Sequence, residues 1–400
     1  MTFNSASLAF ANPTQVWLEL SSTDLDRAWE QSQAFSTTAR RWNAYLNRLC
    51  LNTVLPWLQQ EYDRHARVFP HLAALPSFWE VVNGVAIAHL SPPQTRIALP
   101  GPRLILIPSE AIDCTEIQVP QEWVDIPSWI GDYYLAVQVN PDDGWVKIWA
   151  YCTHSQLKQK ANYDRHSRCY CLKEEDAIAD LNVLWVARQV CPDEPTRVSI
   201  PPLPNLSLER ANALIQRLSS PNILLPRLEI PFPTWGALLE HSGYRQRLYQ
   251  QRLGLNEQWS VVDWLQKRIS QIAQELGWQK IQMQPSLAQA RGETETPQPI
   301  LSKELVIAGQ AYELRVIPKA DISQGIWRFE LSSNKIGDRI PGGFKLRLLT
   351  EDLQPFEDNE DIAETAVDLL YIEVALEPGE GIVWEIEPHP ENCDREILRF

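Results

Sequence analysis

The sequence predicts an α+β protein. It reads as an N-terminal mixed α/β domain with β-hairpins over residues 1–190, a helical middle segment over 191–284, a linker over 285–300, and an acidic, all-β, sandwich-like domain over 301–400. Three observations carry this reading. Apolar residues recur three and four apart in some stretches and alternate in others, the two periods of helix and strand. Prolines punctuate the chain at 191–205 (Pro192, Pro195, Pro201, Pro202, Pro204), where the backbone is expected to be extended and laid along a surface. They do so again around Arg291-Gly292-Glu293-Thr294-Glu295-Thr296, a stretch with almost nothing apolar to bury. Charge is also segregated: residues 291–400 hold 23 acidic and 11 basic residues, a net of −12, against 28 and 25, a net of −3, in residues 1–290.

The elements follow in order. Residues 15–20 (Gln15-Val16-Trp17-Leu18-Glu19-Leu20) form a short strand. From Asp24 to Glu61 the spacing of Leu25, Trp29, Phe35, Trp42, Leu46 and Leu49 predicts a helix, kinked or restarted at Pro56. Residues 77–151 turn to strands. Arg103–Pro108 is a continuous apolar run, and 132–140 with 145–151 flank Pro141-Asp142-Asp143-Gly144, a hairpin because Asp-Gly supplies the positive φ that the turn needs. Residues 176–190 read as a helix. So do 207–218, 235–253 and 261–276, the last stopped by Gly277. In the last hundred residues six short runs (304–307, 312–317, 326–331, 344–349, 369–376, 382–386) are parted by Gly/Pro/Asp clusters, the spacing of a sandwich.

Composition excludes several classes. With 44% hydrophobic and 22% charged residues the chain is too apolar for disorder, and no stretch approaches 18 uninterrupted apolar residues. A formal charge of −15 makes nucleic acid and anionic membranes poor partners. Seven irregularly spaced cysteines are no disulfide framework. With no basic, then apolar, N-terminal leader, the expected location is cytoplasmic.

The densest set of candidate ligands is Cys152, His154, His166, Cys169 and Cys171. Thiolate and imidazole suit tetrahedral zinc, but Cys-x-His followed by His-x-x-Cys-x-Cys is not a usual zinc spacing. In the bland reading these cysteines fill apolar sites and His154 caps a helix starting at Ser155, so no metal or other cofactor is expected. The catalytic alternative is a Cys/His- or metal-dependent hydrolase centred on His154 with Cys169 or Cys171, which needs an oriented imidazole beside a thiolate. Gly-x-Ser-x-Gly, Gly-x-x-x-x-Gly-Lys and Gly-x-Gly-x-x-Gly are absent. A nuclease-like pattern from Asp142 to Lys147 fails because Trp145 stands where an acidic residue is required.

Two features suit binding. The run Glu351, Asp352, Glu357, Asp358, Glu360, Asp361, Glu364 holds no cation and lacks the ligand pattern of a calcium-binding EF-hand. Glu357, Asp358, Glu360 and Asp361 are candidates for docking a basic partner. Sixteen tryptophans are far above the usual share. Trp123, Trp129, Trp145 and Trp149 are either core or, where exposed, contact residues.

Several runs resemble a cyanobacterial family of uncharacterised proteins: residues 106–113 (Leu-Ile-Pro-Ser-Glu-Ala-Ile-Asp), 119–127 (Val-Pro-Gln-Glu-Trp-Val-Asp-Ile-Pro), 131–141, 180–189 and the C-terminal stretch from Ile340 through Gly381. The resemblance spans most of the chain from Trp17 to Phe400. It implies no activity, cofactor or catalytic residue. Through an association with caspase-like peptidase genes, it implies a regulatory or partner role. His154 after Thr153 fits the family's pattern, whereas Cys152, Cys169 and Cys171 depart from it. Together these readings lead to a non-enzymatic interaction, regulatory or scaffold protein.

Overall fold

The computed structural model describes residues 12–88, 102–191, 194–255, 260–266, 273–274, 276–283, 298–319, 322–335, 337–393 and 395–400. The chain forms two compact units, residues 1–255 and 256–400. Helix and strand are present in near-equal measure, as an α+β reading requires. Among the described residues no helix is long and apolar enough to cross a membrane.

The first unit opens with strand β1 (Val16–Glu19) and helix α1 (Ser22–Ser32), whose cap Ser21 accepts the Asp24 N–H. Helix α2 (Thr38–Glu61) follows, capped by Thr37. The one helix expected over 24–61 is therefore two. The break falls at 33–37, where the Ser36 amide and hydroxyl turn to the Glu80 carboxylate. Pro56 lies inside α2 without ending it. Proline removes one intrahelical bond, and α2 absorbs that loss because it packs Leu49, Cys50, Leu51, Val54 and Leu58 into the core.

Next come β2 (Arg67–Phe69), the short helix α3 (Leu75–Trp79), β3 (Val85–Ala88), β4 (Arg103–Ser109), β5 (Glu116–Pro120), α4 (Gln121–Asp125), β6 (Tyr133–Asn140) and β7 (Trp145–Thr153). The main sheet has the order β1-β7-β6-β4-β3-β2. Its neighbours are antiparallel except β4 and β6, which run parallel. The hairpin from β6 to β7 turns through 141–144 with Gly144 at φ +73°, as the Asp-Gly pair predicts. Gly84, at φ +125°, admits no side chain, because a Cβ there would stand 2.6 Å from Trp123 Nε1.

Helix α5 (His154–Lys160), β8 (Asn162–Asp164) and β9 (Cys169–Lys173) follow, and β5-β9-β8 form a small antiparallel sheet. Helix α6 (Leu181–Val190) starts at its cap Asp180, later than the predicted 176. Residues 194–206 are extended and lead to α7 (Leu208–Leu218). The predicted helix over 235–253 is α8 (Phe232–Glu240) and α9 (Ser242–Arg252), divided at His241, whose ring accepts the Tyr244 N–H at 3.3 Å.

The second unit contains α10 (Val261–Gln266), β10 (Trp278–Met283), β11 (Gln298–Ile307), β12 (Gln310–Pro318), β13 (Ile326–Ser333), β14 (Lys345–Thr350), β15 (Glu360–Ile362), β16 (Leu369–Ala375), β17 (Gly381–Glu387) and β18 (Ile397–Arg399). The rest of the predicted 261–276 helix falls largely on 267–272, and the predicted linker largely on 284–297, both outside the described residues. Two antiparallel sheets, β10-β11-β12-β13-β16 and β15-β14-β17-β18, share one core. Leu314, Val316, Trp327, Phe329, Leu331 and Ile372 enter it from the first sheet, and Leu346, Leu348, Trp384 and Ile386 from the second. Alternation accounts for this: Glu313, Arg315, Arg328 and Glu330 take the other face of their strands.

Candidate functional site

His154, the residue that sequence reasoning placed at the centre, is fully buried at the first position of α5. The helix is capped by Thr153, not by His154. Thr153 Oγ1 accepts the Gln156 N–H at 3.1 Å, and Gln156 Oε1 accepts the Thr153 N–H at 2.8 Å. The ring is thereby free to bond elsewhere. Val198 donates its N–H to Nδ1 at 3.1 Å, so Nε2 carries the proton and donates to the Val124 carbonyl at 2.9 Å. Burial lowers the His154 pKa below its ordinary value. Both ring nitrogens are engaged by backbone, and neither is left to accept a proton from a thiol or to bind a metal.

The neighbouring candidates do not converge on it. Cys152 is fully buried and Cys169 nearly so, with its thiol directed at the Ser167 carbonyl at 3.5 Å. Burial pushes the Cys152 thiol far up and that of Cys171, which is partly exposed, up to about 11. Those shifts suppress the thiolate that a nucleophile needs. His166 is exposed, its amide held by Asp164 Oδ1 at 2.9 Å. Among the described residues no group of three or more His, Cys, Asp or Glu is placed to hold a metal ion. The catalytic alternative therefore gains no support from the geometry around His154.

The ring is instead a clasp for the extended segment after residue 194. Beside it Ser155 donates its N–H to the Thr196 carbonyl at 2.9 Å. Arg197 meets Asp132 through Nε at 2.9 Å and Nη2 at 2.5 Å, and the Thr196 hydroxyl donates to Asp132 at 2.7 Å. Burial works against the Asp132 charge, but these donors and the Arg103 amide hold its carboxyl below the ordinary range. A second polar knot stands close by. Asp125 accepts from Lys158 Nζ and from the Tyr170 hydroxyl, each at 2.8 Å. Burial, then Asp125, push the Tyr170 phenol up, so it is not an activated base.

Sequence reasoning missed a set of buried charges. Glu122, wholly buried on α4, takes Arg227 Nε at 2.9 Å, Arg227 Nη2 at 2.7 Å and Trp235 Nε1 at 2.8 Å. Burial opposes the Arg227 charge, and Glu122 more than offsets it, raising the guanidinium above its ordinary value. Glu80, equally buried, takes Arg252 Nε at 2.7 Å together with the Ser36 amide and hydroxyl. Arg40, on α2, lies within the fields of all four charged residues, and burial lowers it to about 10. The available signal was a single charge inside an apolar run, as in Phe78-Trp79-Glu80-Val81-Val82 and Glu122-Trp123-Val124.

The tryptophan candidates are mostly internal. Trp123 and Trp129 lie 5.2 Å apart in a cluster with Phe78, and Trp149 is buried in the sheet. These three are unavailable as surface contacts. Trp145 is partly covered by Trp17 at 5.0 Å. The acidic candidates, in the second unit, are at the surface. Glu357 and Asp358 are exposed, Asp358 in a turn at φ +55°. Glu360 pairs with Arg347 at 3.0 Å, and Asp361 accepts the Tyr371 N–H at 2.9 Å. The stretch from Leu348 to Asp394 contains 15 acidic residues and no Lys or Arg.

Fold and site thus define a two-unit α+β protein whose buried polar groups tie chain segments together and whose excess of acidic residues falls mostly in its second unit. The chain belongs to the family described as "Protein of unknown function (DUF1822)", which matches residues 18–399. No curated protein and no solved structure matches it.

Proposed function

We propose that this is a non-enzymatic, cytoplasmic interaction or regulatory protein that docks a basic protein partner on the acidic surface of its second unit. The observation that carries the reading is the exposure of Glu357, Asp358 and Glu364 within a 15-carboxylate stretch that supplies no cation of its own. Such a surface speeds encounter with a positive patch and repels nucleic acid and anionic lipid. The resemblance to cyanobacterial proteins associated with caspase-like peptidases makes that peptidase system the first partner to test.

The experiment compares capture from a cyanobacterial lysate by the full chain and by a variant carrying E357K, D358K, E360K and D361K. A specific protein should be retained by the wild type at low salt. It should be lost from the variant, and lost from both as salt rises from about 0.05 to 0.5 M and the Debye length contracts. Retention that is equal for both chains and insensitive to salt refutes the acidic dock.

A further inference from the structure

The ammonium of Lys147, on β7, has a thiol for its polar partner. Nζ donates to Cys114 Sγ at 3.3 Å and, among the described residues, forms no ion pair with a carboxylate. It also lies 5.2 Å from the centre of the Trp17 ring, whose π face attracts a cation. The sulfur is held from a second side. Cys114 directs its S–H at Gln138 Oε1, 3.5 Å away, and Gln138 stands opposite Lys147 in the β6–β7 register. Gln138 Nε2 in turn donates to the carbonyls of Ala111 at 2.7 Å and Ile112 at 3.2 Å, which fixes the loop that carries Cys114. Cys114 and Lys147 are each partly exposed, whereas Cys50 and Cys152 are enclosed.

A thiol beside a cation and open to solvent is the setting in which cysteines oxidise to sulfenic acids. A sulfenic acid is electrophilic at sulfur and condenses with a thiol or a nitrogen held against it. Here a side-chain nitrogen already touches that sulfur. We propose that Cys114 and Lys147 form an oxidative cross-linking site, at which a peroxide joins the two side chains through a thiol-reversible S–N bond.

In the first step Sγ attacks an oxygen of hydrogen peroxide. An S–O bond forms, the O–O bond breaks, and the departing hydroxide leaves as water with the thiol proton, so sulfur is oxidised and the peroxide reduced. In the second step Nζ, after releasing a proton to solvent, attacks the sulfur. The S–N bond forms, the S–O bond breaks, and hydroxide leaves as water with a proton from nitrogen. Thiol, amine and one peroxide thus give a sulfenamide and two waters, and a dithiol returns both side chains while becoming a disulfide. The bond fastens the loop of residues 110–115 to β7. The site belongs to the first unit and is independent of the acidic dock.

The test treats the full-length protein with hydrogen peroxide, alkylates it, digests it with trypsin without reduction and reads the peptide masses. No Lys or Arg lies between Arg103 and Lys147, so trypsin ordinarily releases residues 104–147 as one peptide. A cross-linked Lys147 is not cut. The expected product is residues 104–158, about 2 Da lighter than the unmodified stretch for the two hydrogens removed, and it should disappear on treatment with dithiothreitol. C114S should yield none of it. K147R keeps the positive charge but has no amine, so the cross-link should vanish while dimedone traps the Cys114 sulfenic acid. The wild type alone can overturn the proposal, whether or not the variants fold. Release of residues 104–147 at every peroxide dose, with Cys114 unchanged or carrying only added oxygen, means that no bond forms. The same loss of mass persisting in K147R overturns it as well, because the partner of Cys114 is then another residue.

Discussion

His154 and Val198 are joined across 44 residues by a bond from the Val198 N–H to Nδ1 at 3.1 Å, the contact that pins the extended segment to α5. It requires a neutral ring, and burial lowers the pKa of that ring below its ordinary 6.5. In the unfolded chain the imidazole takes up a proton near 6.5, and in the folded chain only at lower pH. The unfolded state therefore binds more protons as pH falls through 6.5, and stability falls with it. The contribution of His154 should be fully present above about pH 7 and decline below about 6.5, with a slope of at most about 1.4 kcal/mol per pH unit. Urea unfolding across this range should show the decline in the wild type and a flatter profile in H154F. Identical slopes would remove His154 as the cause.

Glu122 and Arg227 form a two-point pair with one partner wholly buried. Removing one partner strands the other. R227M should destabilise the first unit by about 3–5 kcal/mol, and E122Q by less, because the amide can still accept from Trp235. The double variant should fall well short of the sum of the two, since it strands no charge. Additive losses in chemical denaturation would show that the two residues act separately.

The thiols should react in an order set by burial. Cys191 is exposed, Cys171 is partly buried with its pKa pushed up to about 11, and Cys50 and Cys152 are enclosed and pushed higher still. At about pH 8 a maleimide should label Cys191 first and Cys171 much more slowly. Cys50 and Cys152 should react only on unfolding. Peptide mass mapping of a time course reads this directly, and early labelling of Cys152 would contradict the packing around β7.

What the sequence made legible was local. The β6–β7 hairpin is encoded by alternation on both sides of Asp143-Gly144. The main strands of the second unit are encoded by alternation between Gly/Pro breaks. What it hid was long-range. The break before α2 is set by Ser36 reaching Glu80, 44 residues away, and no periodicity in 24–61 encodes that contact. Strand β15 begins Glu360-Asp361, poor strand formers, and is held by the Arg347–Glu360 pair and its register on β14. His154 was conspicuous by residue type, but its role depends on two backbone groups, those of Val124 and Val198, which have no side-chain signature. The buried pairs join residues 105 and 172 positions apart, beyond any pattern in a linear reading.

In the second unit Lys303 lies on the inner face of β11, 3% exposed, where alternation would place an apolar residue. Its ammonium meets Glu396 Oε1, while Glu396 Oε2 accepts Trp278 Nε1 at 2.7 Å. The ammonium also lies 5.5 Å from the Trp278 ring and 5.6 Å from the Trp384 ring, two rings that meet edge-on. Glu396 precedes β18, so this knot fastens the last strand to the core. K303M alone strands Glu396 among aromatic rings and should cost about 3–5 kcal/mol, with residues 395–400 the first to become protease-sensitive. K303M combined with E396L removes both charges and should recover most of that loss, leaving mainly the orphaned Trp278 N–H, about 1–3 kcal/mol. Tryptophan fluorescence during denaturation reports on the two rings that flank the pair. If the double variant is no more stable than K303M, the pair does more than neutralise itself, and its hydrogen bond to Trp278 is what orders the end of the chain.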